Sequence, residues 1–195
     1  MEFDNVALLQ RDGWRGEDME MNFAALKIDA DKLDLTQRKV RINTVALDQP
    51  VFSISNYEGK RPDSLRPKDI ETSFVNDPAH LRWNPGNWDI AIQEVTLNKG
   101  TFKSILQTDE AIAAYFDPSH IEFNEINAHF KQVAFKQDSI TANMQLNTRE
   151  RSGLIVKKLN AQVRIHPEAM EFHQLDLQTN RSHLHNYFAM RYDTF

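Results

Sequence analysis

The sequence predicts an all-β protein: an elongated, curved antiparallel sheet, a β-groove built from repeats, with few or no helices. Apolar and polar residues alternate with period two over most of the 195 residues, and apolar spacing typical of helices is rare. One eight-residue apolar pattern also recurs along the chain. We therefore expect residues 1–195 to form a single segment built from repeated strands.

Two runs show the alternation most clearly. The first has apolar residues at Ile140, Ala142, Met144 and Leu146, and the second takes alternate residues from Leu184 to Tyr192. Clusters of Asp, Asn, Gly and Pro separate such runs and predict turns at 76–78, 84–87, 98–100, 117–118 and 166–168.

The recurring pattern is Φ-x-Φ-x-x-Φ-x-Φ, where Φ is apolar and x is any residue. Its copies begin at Met1, Met21, Val40, Ile90, Ile121, Leu154 and Met170. In a regular strand, the x-x step would send the second apolar pair to the opposite face. A β-bulge at this step restores the pair to one face and bends the strand. Bulges at matching places in several strands predict a curved sheet with its apolar face on the concave side.

Two stretches lack the strand pattern. Residues 58–87 are expected to form a loop-rich connection. Residues 106–119 are expected to form a loop or a short helix, since Thr108 can cap a turn with Ile112 and Phe116 on one side.

Composition excludes several classes of function. The chain has 23 Lys and Arg against 28 Asp and Glu, a net charge of −5, without the basic stripe that a nucleic-acid surface needs. It has no cysteine, which excludes disulfides and cysteine-based sites. No apolar run approaches the roughly 18 residues of a membrane-spanning helix, so the chain as written is expected to be soluble.

Acidic residues and serines do not predict an enzyme. Glu122 and Glu125 could form a glycosidase pair, and Asp29, Asp31 and Asp34 could bind calcium. Neighbouring acids on the polar edge of strands lack the asymmetry that separates two catalytic pKa values, and the Asp cluster lacks the glycine and the final Glu of an EF-hand loop. Since the sequence also lacks a Gly-x-Ser-x-Gly elbow, we expect no catalytic residues and no cofactor.

Histidines are the remaining candidates for a metal site. His183 and His185 share one face of a predicted strand, and His173 could lie on a neighbouring strand. The pair lies beside the polar turn Arg181-Ser182, and a carboxylate at helical His spacing is missing. The sequence therefore favours solvated histidines and no metal site.

Several segments, taken in order, resemble the AsmA/TamB-like family, also called the translocation and assembly module family. Residues 88–102 are similar to its recurring strand-turn-strand unit, and residues 48–62 resemble a segment of the long members from Bacteroidetes-type bacteria. Residues 116–123, 151–154 and 175–182 resemble successive later stretches. The resemblance spans nearly the whole chain, and its specificity lies in this succession.

The resemblance implies an internal fragment of a long envelope protein that is anchored in the inner membrane and projects into the periplasm as a grooved, taco-shaped β-rod. Such proteins serve outer-membrane biogenesis by carrying phospholipid between the membranes or by assisting assembly of outer-membrane proteins. The implied partners are phospholipid acyl chains, neighbouring repeats of the parent chain and outer-membrane assembly proteins.

The alternating apolar residues of the second half are the candidates for the lipid groove. Each acyl methylene removed from water is worth about 0.8 kcal/mol, so an apolar trough can hold an acyl chain without polar recognition. The same residues could instead form the dry core of a closed sandwich. The candidates are Phe130, Ile140, Ala142, Met144, Leu146, Val163, Ile165, Phe172, Leu175 and Leu177.

Two other functions stay open. The chain could be a module that pairs the edge of its sheet with nascent outer-membrane strands. It could also be an ordinary ligand-binding β-sandwich, which predicts an aromatic platform or a facing carboxylate pair on a wet face. Open sheet edges further predict self-association in solution.

Overall fold

The computed structural model describes residues 1–65, 83–112 and 115–191. Within these ranges the prediction of an all-β fold is confirmed, because ten strands form one large curved sheet and the only helical element is a 3-10 turn at Asp63–Leu65. The strands are β1 Glu2–Asp12, β2 Glu17–Asp34, β3 Lys39–Asp48, β4 Val51–Asn56, β5 Asp89–Leu106, β6 His120–Lys136, β7 Ser139–Glu150, β8 Ile155–His166, β9 Ala169–Thr179 and β10 His183–Arg191.

The strands follow the order β1-β2-β3-β5-β6-β7-β8-β9-β10, and β4 pairs with β2 and β5. β3 and β4 together act as one interrupted strand between β2 and β5. Their register with β5 is continuous, since Lys39 pairs with Asp89 and Val51 pairs with Thr101. The interruption coincides with Gln49, which has a positive φ of 48°, and with Pro50, which has no N–H for the ladder.

The sheet is not antiparallel throughout, because β3 and β4 run parallel to β5. The physical reason is the long connection between β4 and β5, since a parallel pair needs a crossover rather than a hairpin turn. Residues 66–82 of the connection predicted at 58–87, including the turn predicted at 76–78, lie outside the described residues, as does Tyr192.

A buried amide fixes the entry of the chain into β5. Asn84 is 2% exposed, and its side chain donates to the Trp88 carbonyl at 2.7 Å and accepts from the Trp88 N–H at 2.7 Å. The turn predicted at 84–87 is present. The Arg41 guanidinium then pairs with Asp89 at 2.8 Å, which joins the first residues of β5 to β3.

The recurring pattern carries irregularities of the predicted kind. Four copies of the pattern show a shift of register with a neighbouring strand inside the x-x step. These copies begin at Val40, Ile121, Leu154 and Met170. In the other three copies one residue of the strand is left out of the pairing, and the register is the same on both sides of it. These copies begin at Met1, Met21 and Ile90.

In three copies of the pattern, the bulge contains a residue in the left-handed backbone conformation. Asn5, Glu125 and Gln174 occupy the fifth position of the pattern and have φ values of 51°, 52° and 50°. These are the three copies that open with an apolar residue followed by Glu-Phe. A left-handed residue lets the strand take up one extra residue, as in bulges of the G1 type.

The bulge in β9 restores the apolar face as predicted. Phe172 and Leu177 are five residues apart, so in a regular strand they would point to opposite faces. They pair with Val163 and Leu159 of β8, which are four residues apart and therefore share one face. The extra residue at Gln174 brings both β9 side chains to that face.

The turn predicted at 98–100 is wrong, because β5 continues through it. Lys99 has a φ of 53° and forms a bulge within the strand. The bulge at Glu125 in β6 compensates, so the β5–β6 register shifts at Gly100 and is regained by Phe102. The predicted turns at 117–118 and 166–168 are present.

The segment predicted at 106–119 as a loop or a short helix lies between β5 and β6. Its described residues, 107–112 and 115–119, form no helix.

The sheet is a single layer. Among the described residues, each strand contacts only its neighbours in the sheet, so a second layer packing on either face is missing there. No described helix is long and apolar enough to cross a membrane.

The bulge at Gln174 generates a stability prediction. Gln174→Val should destabilise the chain by about 1–2 kcal/mol, because a β-branched residue is strained at a positive φ. Gln145→Val is the matched control in the regular, exposed part of β7 and should change stability by less than about 0.5 kcal/mol. Urea unfolding measures both variants. Equal losses of stability in the two variants would contradict the assignment of a left-handed bulge residue at Gln174.

Candidate functional site

One face of the sheet is apolar from edge to edge. Cross-strand partners point to the same face, so rows of paired residues trace this surface, which we call the apolar face. One row crosses the sheet from β1 to β10 through Phe3, Leu26, Leu47, Leu97, Ala128, Leu146, Leu159, Leu177 and Leu184. A second row runs through Leu33, Val40, Ile90, Phe135, Ile140, Ile165, Met170 and Met190.

The structure places the ten predicted groove residues on β6 to β9, within this face. Met144 pairs with Phe130 on one side and with Ala161 on the other. Val163 similarly joins Ala142 to Phe172. Ile140, Leu146, Ile165 and Leu177 belong to the two rows above, and Leu175 is 5% exposed beside them.

The apolar face extends further than the predicted set. The rows continue over β2, β3 and β5, and the rings of Phe52 and Phe102 stack at 6.0 Å between centroids. The repeat copies at Val40 and Ile90 are the sequence signal for this extension. Phe102, in contrast, lies beyond the bulge at Lys99, where the sequence predicted a turn.

The centre of the apolar face contains several buried residues. Buried positions there are mostly small, and they include Ala128, Ala142, Ala161 and Val163. Among the described strands, these residues have contacts only from neighbouring strands of the sheet. The edge remains open, since Phe188 and Met190 of β10 are 46% and 47% exposed.

The opposite face is polar and carries cross-strand ladders of charged and amide groups. Glu94 contacts the His129 ring at 2.5 Å, and the side chains of Asn127 and Asn147 are joined at 3.1 Å. Pairs of this kind favour one register over its neighbours, because a one-residue slip would bring unlike partners together.

The acidic candidates lie on the polar side and are separately paired. Glu122 pairs with Lys103 at 3.3 Å, and Glu125 pairs with Arg149 at 3.0 Å. A hydrogen bond from the Asn124 amide is the main cause that lowers the pKa of Glu122. Each of the two carboxylates therefore has a basic partner of its own.

Two of the three aspartates considered for calcium are also individually engaged. Asp29 accepts from the Asn43 amide at 3.1 Å, and Asp34 accepts from the Gln37 N–H at 2.8 Å. That backbone hydrogen bond is the first cause that lowers the pKa of Asp34.

The three candidate histidines do not come together. His183 and His185 are adjacent on β10, with ring centroids 3.6 Å apart, whereas the His173 ring packs on Tyr187 at 4.9 Å. The first two lie beside Asp176 instead.

A polar cluster lies at the connection between β5 and β6. Asp117, which is 3% exposed, accepts hydrogen bonds from the N–H groups of Ile112 and Ser119, each at 3.0 Å. It also contacts His120 at 3.0 Å and the Arg151 guanidinium at 3.3 Å. The hydrogen bond from Ile112, followed by those from Ser119 and His120, lowers the pKa of Asp117.

A buried carboxylate adjoins this cluster. Glu150 pairs with Phe123 across the strands and is 4% exposed. Its Oε2 accepts from the N–H and the hydroxyl of Ser152, while its Oε1 has no hydrogen-bond partner among the described residues.

Three comparisons with known proteins were negative. A scan against protein-family models, a search of curated proteins and a search of solved structures each found no match.

The lowered pKa of Asp117 predicts a pH-dependent contribution to stability. A depressed carboxyl pKa stabilises the fold above the ordinary value of 3.8 and loses this effect as pH falls through the folded-state value. Asp117→Asn should therefore be less stable than the wild type at pH 7. The difference should shrink below about pH 4, as urea unfolding at pH 7, 5 and 3 would show. A difference that is the same at pH 3 and pH 7 would contradict the assignment.

Proposed function

We propose that this chain is a non-enzymatic segment of an AsmA/TamB-like periplasmic protein whose apolar face holds phospholipid acyl chains. The parent protein would be anchored in the inner membrane and would transfer lipid to the outer membrane. The observation that supports this proposal is a continuous apolar face on a single-layer sheet, without a covering layer among the described residues.

The size of the face suits an acyl chain. Neighbouring strands lie about 4.8 Å apart, so the row from β1 to β10 spans roughly 40 Å along the sheet. An acyl chain fills about half of a bilayer core, or roughly 15 Å. The apolar face is therefore long enough to cover a whole chain, with a gain of about 0.8 kcal/mol for each methylene removed from water.

The chemistry of the face suits lipid better than a sugar or a polar metabolite. The two rows that cross it are apolar throughout, and the ordered polar pairs lie on the opposite face. The described residues also lack the second sheet that a closed sandwich needs, so their arrangement does not favour the sandwich alternative.

The open edges suit continuation of the same surface by neighbouring repeats. Phe3 and Leu8 of β1, and Leu184 and Phe188 of β10, are between 41% and 56% exposed. A further strand added at either edge would extend the rows and cover these side chains.

A second candidate, strand pairing with outer-membrane proteins, is supported by the outer edges of β1 and β10, which carry no strand partner within the described residues. Each edge strand, however, contains one left-handed residue, Asn5 in β1 and Asn186 in β10. Irregularities of this kind hinder long pairing with a foreign strand. The edges therefore support this candidate less strongly than the apolar face supports lipid.

Mass spectrometry of organic extracts from the purified chain tests the lipid proposal. The wild type should retain phospholipid, and Met144→Asp and Phe172→Asp should each lower the amount at least about tenfold, because a carboxylate on this face is costly beside an acyl chain. Gln145→Asp, which adds the same charge on the polar face next to Met144, should retain lipid.

The control separates loss of binding from loss of folding. Circular dichroism should show the same strand content in all variants. A folded wild type that neither carries lipid nor takes it up from phospholipid vesicles would overturn the proposal. Binding of denatured outer-membrane strands by that lipid-free chain would favour the second candidate.

A further inference from the structure

Three metal-ligating side chains meet on the polar face at the start of β10. His183 and His185 are two residues apart on this strand, and His185 pairs with Asp176 of β9. Asp176, His183 and His185 each offer one ligand atom, and these atoms all lie within 4.8 Å of one another. The cluster lies on the face opposite to the proposed lipid surface.

The distances within the cluster suit a small divalent ion. Asp176 Oδ1 lies 2.7 Å from His183 Nε2 and 4.0 Å from His185 Nδ1. Tetrahedral zinc with bonds of 2.0–2.2 Å holds its ligand atoms about 3.4 Å apart. The two observed separations lie on either side of that value, so small side-chain rotations would bring the three atoms to coordinating positions.

The second oxygen of the carboxylate is held from outside the cluster. Lys158 Nζ lies 2.6 Å from Asp176 Oδ2, whereas Oδ1 contacts His183 at 2.7 Å and accepts a long hydrogen bond of 3.4 Å from the Gln178 amide. The hydrogen bonds from Lys158 and His183 lower the pKa of Asp176, so the carboxylate is charged at neutral pH. An outer hydrogen bond that orients a ligating carboxylate is usual at protein metal sites.

We propose that Asp176, His183 and His185 form a site for a divalent transition-metal ion of the zinc class. Two imidazoles and one carboxylate are ligands that zinc accepts, and solvent can supply the fourth position because both histidines are exposed. The bound ion would join β10 to β9 at the edge of the sheet. This inference does not depend on the proposed lipid function, since the site and the apolar face lie on opposite sides.

Isothermal titration of Zn²⁺ into the tag-free chain, after EDTA treatment and removal of the chelator, tests the proposal. The wild type should bind one ion. Asp176→Asn and the double variant His183→Ala/His185→Ala should each lower the association constant at least about tenfold, since each removes a ligand. His173→Ala is the matched control, because it removes an exposed histidine of β9 outside the cluster and should leave binding unchanged.

A second measurement separates this site from general binding to surface histidines. Zn²⁺ should raise the Tm of the wild type and of His173→Ala, but not that of the double variant, because an ion that binds the folded cluster in preference to the unfolded chain stabilises the fold. Circular dichroism should confirm that every variant is folded. Absence of Zn²⁺ binding, or binding of equal strength in the double variant, would overturn the proposal.

Discussion

The organisation of this sheet depends on one geometric constraint, which is that apolar side chains on both sides of an x-x step must stay on the same face. A regular strand cannot satisfy it, because its side chains alternate strictly. The extra residue at Gln174 in β9, like its equivalents in other strands, resolves the conflict locally. Without these bulges each strand would divide its apolar residues between two faces, and neither the apolar rows nor the polar ladders would form.

The bulges that satisfy this constraint also affect the packing within the sheet. Repeated bulges bend the sheet, and on the inner side of the bend neighbouring side chains crowd one another. Ala128, Ala142 and Ala161 lie on the central strands β6, β7 and β8, and all three are buried. Larger residues such as Phe188 and Met190 lie at the edge, where they remain exposed.

Features that depend on the local alternation of residues could be predicted from the sequence. Features that depend on contacts between distant segments could not. The copy at Met170 predicted a bulge and the shared face of Phe172 and Leu175, because both follow from the spacing of neighbouring residues. The parallel pairing of β3 with β5 depends on where a long connection returns the chain, which periodicity does not encode. The bulge at Lys99 was interpreted as a turn, because Asn-Lys-Gly suits either structure and only its pairing with β6 decides. Asp176 was likewise missed beside His185, since cross-strand contacts require the register.

The different roles of the two faces follow from the same strand register. Exposed ion pairs and amide pairs on the polar face contribute little free energy each, about 0–1 kcal/mol, yet a one-residue slip would break many of them together. They therefore specify the pairing more than they stabilise it. The alignment of the apolar rows is therefore also supported from the other side of the sheet.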